Sequence, residues 1–182
     1  MGYTHYWTPK EVSAEKFKEF ADTCKELKKN LPEKSNSGLG YPDKKILIRG
    51  GNGTGKPIFK DNIVSFNGDL KRDMDHETFY IEHGYDEWNF CKTARKPYDL
   101  LVCACLIAAH EILGYEVSSD GGINEWTSAI KFYLDIVYGE MVDDEDSLKA
   151  IIPTFLFDEQ VGSTYNEPYN LMDHVKSLFE EV

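Results

Sequence analysis

Lys92, Arg95 and Lys96 place three cations within five positions, directly ahead of the most apolar segment of a 182-residue chain. Every residue from 100 to 109 is apolar. Free N–H groups at the start of a helix already favour anions, so cations there offer contact with a phosphate or a carboxylate. A second set, Asp69, Asp73, Asp75, His76, Glu77, Glu82 and His83, could supply oxygen and nitrogen ligands to a metal. Metal-dependent hydrolysis through Asp69, His76 and His83 is the chemistry this set would support. It meets no known ligand spacing, however, and a solvated acidic loop accounts for the same residues. The densest negative patch is Glu140, Asp143, Asp144, Glu145 and Asp146. It reads as a cap for a helix starting near Ser147 or as a surface for a basic partner.

The short motifs that would name a reaction are incomplete. Residues 50–56 match G-x-x-x-x-G-K, but Pro57 stands where a phosphate loop needs a Mg²⁺-binding Ser or Thr. The following PIFKDNIVSFNGD reads as strands and turns rather than a helix, which makes a glycine-rich hairpin connection the better description. His76-Glu77-Thr78 resembles half of the paired His-x-Thr signature of two-histidine phosphoesterases, and the other half is missing. His110-Glu111 begins like a zinc-protease motif, with Gly114 in place of the second histidine. No metal site and no cofactor are expected.

The elements that must position these residues centre on 97–113. A helix apolar all round has to be buried, with other elements packed on every side. Pro97 suits a first turn, Asp99 sits at the positive end of the dipole, and Gly114 can close the helix in a left-handed conformation. An earlier helix begins near Ser13, with Val12, Phe17, Phe20, Ala21, Cys24 and Leu27 as its apolar stripe. GYTHYW (2–7), KILIR (45–49), 63–66, 78–81 and 115–118 read as strands. A further helix from about Asn124 and two short ones over 147–155 and 169–179 complete the chain. The expected fold is α+β: a small, mainly antiparallel sheet packed around a buried central helix. Residues 1–138 form the core domain, and a helical portion, 139–182, packs on the same domain or extends from it. Tyr3, Trp7 and Trp88 are candidates for stacking on a ligand, although an N-terminal strand packed on the sheet explains Tyr3 and Trp7 equally.

The bulk composition narrows the partners. With 32 acidic against 20 basic residues the net charge is −12, which repels a nucleic-acid backbone at long range and disfavours a general DNA or RNA binder. A hydrophobic share of 41% with 13% aromatic residues speaks for a folded domain. No apolar run approaches the ~20 residues of a membrane span, and the N-terminus shows neither a leader nor a myristoylation pattern. Cys24, Cys91, Cys103 and Cys105 form no CxxC pair and read as reduced thiols. The expected compartment is the cytoplasm.

GYTHYW at Gly2, FNGD at Phe66, HETF at His76, FCKTARKPYD at Phe90 and VSSDG at Val117 occur in this order over residues 2–126. Together they resemble a family of small proteins encoded by bacteriophages and mobile elements. The chain is most similar to the anti-CRISPR members that inhibit Cas9-type nucleases. The last third carries none of these motifs. The resemblance implies a non-catalytic counter-defence inhibitor in the host bacterial cytoplasm, which binds the guide-RNA-loaded nuclease and blocks target DNA. Carboxylates at Asp143 to Asp146 could then stand in for phosphates, and Lys92, Arg95 and Lys96 could touch guide or target phosphates. The alternative is a small-anion binder that sequesters or hydrolyses a nucleotide immune signal, with Lys92, Arg95 and Lys96 on its phosphates. The aromatic content also permits a homodimer interface.

Overall fold

The computed structural model describes residues 2–35, 41, 43–139, 142–157 and 171–180. In chain order the elements are β1 (Thr4–Thr8), α1 (Ala14–Lys29), β2 (Ile58–Lys60), β3 (Ile63–Phe66), β4 (Phe79–Glu82), β5 (Asn89–Lys92), α2 (Asp99–Leu113), β6 (Glu116–Ser119), α3 (Ile123–Val137), α4 (Glu145–Ile151) and α5 (Leu171–Glu180). Short 3₁₀ turns lie at Leu70–Arg72 and Thr154–Leu156. The α+β class is as expected. Among the described residues no helix is long and apolar enough to cross a membrane.

α2 is the hub. Its residues 101–109 are all buried, which follows from a segment with no polar face to offer to water. Each large aliphatic side chain removed from water there contributes about 1.5–3 kcal/mol. Gly114 closes the helix at φ 68°, where a Cβ would be strained. α1 packs on α2 through the stripe Phe17, Phe20, Ala21, Cys24 and Leu27, and Ser13 caps it by accepting from the Lys16 N–H. Both features follow the sequence expectation, except that Val12 precedes the helix and is only partly buried. Leu148, Ile151, Leu156 and Val175 enter the same apolar core as α2.

The expected single sheet is divided into two three-stranded antiparallel sheets, ordered β5-β1-β6 and β2-β3-β4. Residues 45–49 supply isolated bridges, Lys34 to Lys45 and Arg49 to Asn67, in place of a strand. Strand β5 falls where the sequence suggested a loop, because only Cys91 of its four residues is buried and no alternation marks it. The glycine-rich stretch 50–56 turns on itself through Gly50 N–H to Thr54 O and Gly53 N–H to Gly50 O. It leads into strand β2 rather than a helix. The side chain of Asn67 ties this turn to the HETF segment, donating to Gly51 O and His76 O and accepting from the His76 N–H.

Candidate functional site

Strand register builds the site. In the β5-β1-β6 sheet, His5 stands opposite Cys91 on one side and Ser119 on the other. Side chains alternate across a strand, so Tyr3, His5 and Trp7 point inward while Tyr6 faces out. The inner row meets the first turns of α2, where Asp99 and Cys103 lie four residues apart on one helix face. His5 Nε2 is 2.7 Å from Asp99 Oδ1 and 3.5 Å from Cys103 Sγ; Nδ1 is 2.8 Å from Ser119 Oγ. Thr93 Oγ1 also donates to Asp99 Oδ1, at 2.5 Å. His5 is fully buried.

The surroundings lock this cluster. The rings of Tyr3 and Trp126 stand edge-on to the imidazole, at 4.9 and 5.3 Å. Burial, and next the Asp99 carboxylate, push the Cys103 thiol well up, so it is held protonated. The Tyr3 hydroxyl is pushed up by burial and then by Cys103, Asp99 and Glu125. It is buried without a well-formed hydrogen bond, although Ser119 stands close enough to interact with it. Trp126 Nε1 is likewise buried and unpartnered. Gly121 is required beside them, since a Cβ there would overlap the Tyr3 phenol. A cleft of about 300 Å³ opens on the outer side of the cluster, with Asp99, Cys103, Glu125, Lys131 and Asp135 in its wall.

The basic loop is placed at the start of α2, as expected, but its charges are largely committed. Arg95 donates through Nε and Nη2 to Glu125 Oε1, at 2.9 and 2.6 Å, and stacks its guanidinium on Tyr3 at 4.1 Å. Lys96 Nζ bonds Asp73 through its backbone and carboxylate oxygens, at 2.9 and 3.3 Å. The Lys92 side chain lies along the backbone of Gly2. Ala94 and Arg95 are both left-handed, at φ 51° and 57°, a costly conformation for residues with a Cβ. It turns the chain from β5 into α2.

The other candidates are dispersed. Tyr3 and Trp7 are 1% and 2% exposed, so their rings are core rather than stacking platforms. Trp88 is 56% exposed, stacks on Tyr6 at 5.7 Å and meets the tilted ring of Phe90 at 5.4 Å. Asp69 is held by Arg49 and Arg72, while His83 Nε2 contacts Val12 O. With His76 exposed on its own segment, this proposed metal triad is not assembled. Asp143 to Asp146 are exposed. Asp144 caps α4 by accepting from the Ser147 N–H at 2.7 Å, and Glu145 pairs with Lys149. Glu140 lies outside the described residues.

The sequence marked Asp99 only as a helix-end carboxylate and Cys103 only as core, and it passed over Ser119 and Glu125. The usable signals were the period-two placement of His5 and the four-residue spacing of Asp99 and Cys103. Three of the five motifs converge here: GYTHYW brings Tyr3 and His5, FCKTARKPYD brings Thr93, Arg95 and Asp99, and VSSDG brings Ser119 and Asp120. Comparison with known families, curated proteins and solved structures finds no match.

Proposed function

We propose that this chain is a non-catalytic counter-defence inhibitor of the anti-CRISPR kind, acting in the bacterial cytoplasm. It binds a guide-loaded Cas9-type nuclease and blocks target DNA binding. The observation that carries the reading is where the charges are committed. Arg95 and Lys96 close ion pairs within the chain, whereas Asp143 and Asp146 stand exposed on either side of the Asp144 cap and the Glu145–Lys149 pair, on a molecule of net charge −12. Such a surface is steered toward the positive channels that hold nucleic acid in a nuclease of this type. Exposed Trp88 and Phe90, with Tyr6 stacked beneath, supply rings of the type that anchor protein interfaces.

The small-anion alternative loses support from the same pairs, because two of its three cations already have carboxylate partners. The cleft beside the cluster is acidic, with Asp99, Glu125 and Asp135 against Lys131, and so disfavours a phosphate. The test is target-DNA binding by the guide-loaded nuclease, titrated with this protein, alongside Asp143→Lys/Asp146→Lys and Arg95→Ala. The inhibitor reading expects loss of the DNA complex with the parent chain and weakened inhibition by the charge-reversed variant. Nucleotide binding that is lost in Arg95→Ala, without any effect on the nuclease, would favour the alternative.

A further inference from the structure

We infer that His5, Asp99 and Cys103 form a zinc site whose open position faces the cleft. Among the described residues this is the one group of three potential ligands from His, Cys, Asp or Glu whose ligand atoms lie within 4.8 Å of one another. An imidazole and a thiolate suit Zn²⁺ and select against Mg²⁺ or Ca²⁺. Tetrahedral zinc with bonds of about 2.0–2.3 Å sets its ligand atoms about 3.3–3.6 Å apart. Cys103 Sγ is 3.5 Å from His5 Nε2 and 3.8 Å from Asp99 Oδ2. The 2.7 Å contact between Nε2 and Asp99 Oδ1 has to open by about 0.6–0.9 Å when a metal replaces the proton between them.

The outer contacts are those a metal-ligating histidine uses. Ser119 Oγ already accepts from the Gly121 N–H at 3.0 Å, and it faces His5 Nδ1. When a metal takes the place of the Nε2 proton, Nδ1–H can donate to this oxygen, which leaves the Nε2 lone pair free to ligate. Thr93 fixes Asp99 in the same manner. The rings of Tyr3 and Trp126 pack T-shaped against the imidazole, and each residue carries a buried polar atom lacking a well-formed hydrogen bond. Asp99 and Cys103 also line the acidic cleft, which gives a cation an entry path and leaves the fourth position for water or a cleft ligand. On binding, the Cys103 S–H bond breaks, a Zn–S bond forms and that proton passes to solvent, while the His5 proton moves by way of solvent from Nε2 to Nδ1 as a Zn–N bond forms. This inference is independent of the nuclease-binding proposal.

The test uses the full chain, stripped with chelator and then given one equivalent of Co²⁺. The site predicts a thiolate-to-cobalt charge-transfer band with tetrahedral visible bands, saturating at one equivalent and displaced by Zn²⁺. Cys103→Ser loses the charge-transfer band, and His110→Ala, outside the cluster, keeps it. Absence of the band in the parent chain, or its survival in Cys103→Ser, overturns the site. X-ray absorption of the zinc-loaded parent chain needs no variant. One sulfur at about 2.3 Å is expected, and none or two contradicts the assignment.

Discussion

Asp99 carries the most at the residue scale, since His5 and Thr93 both direct hydrogen bonds to one of its oxygens. Hydrogen bonds to a charged group contribute about 1.5–3 kcal/mol each. Asp99→Asn, unfolded by urea in the presence of chelator, is therefore expected to lose about 2–3 kcal/mol. A loss below about 0.5 kcal/mol, the range of an ordinary surface change, would mean the cluster does not brace the core. Asp69 makes a different prediction. Its side chain is buried, and Arg72 holds its carboxyl below the usual range, with Arg49 adding to the effect against the cost of burial. A depressed folded value means the stabilisation is complete above the unfolded carboxylate value of about 3.9. It is lost as pH falls through the lowered folded value. The urea midpoint of the parent chain should thus drop more steeply below about pH 4 than that of Asp69→Asn; parallel acid limbs would refute the assignment.

At the scale of elements, the turn from β5 into α2 is the strained piece. A left-handed Ala costs about 1–2 kcal/mol, and glycine returns about 0.5–1 kcal/mol of that through its looser unfolded chain. Ala94→Gly should therefore stabilise by about 0.5–1 kcal/mol, and Ala94→Val should destabilise; equal midpoints would show that the loop relaxes at no cost. Helices were the legible elements because their signals are local. Ser13, Asp99 and Gly114 mark ends within one turn of the residues they serve, while Pro97 lies just ahead of the α2 cap, Tyr98, rather than in the first turn; the acidic run before Ser147 contains the α4 cap, Asp144. The sheets were less legible. Residues 45–49 look like a strand from their own side chains yet find only single bridges, whereas β5 earns its place by pairing with β1. The His5 cluster joins positions 94 and 98 apart, and register, which no local spacing encodes, is what brings them together.

The whole molecule presents a closed core and an acidic, partly aromatic surface. The core accounts for Tyr3, Trp7 and all four cysteines, each of them buried. The surface is left with Trp88, Phe90 and the carboxylates of Asp143 to Asp146. Trp88 and Phe90 are 56% and 43% exposed, so Trp88→Ser/Phe90→Ser should change stability by less than about 1 kcal/mol. The same change should weaken binding to the nuclease at least tenfold if these rings anchor the interface. Unchanged affinity would move the contact surface elsewhere. The central claim is tested most directly by target-DNA binding to a guide-loaded Cas9-type nuclease, titrated with this protein. The account predicts dose-dependent loss of the nuclease–DNA complex near a one-to-one ratio, weakened by Asp143→Lys/Asp146→Lys. DNA binding that persists at a large excess of the protein, across several nuclease orthologues, would contradict it.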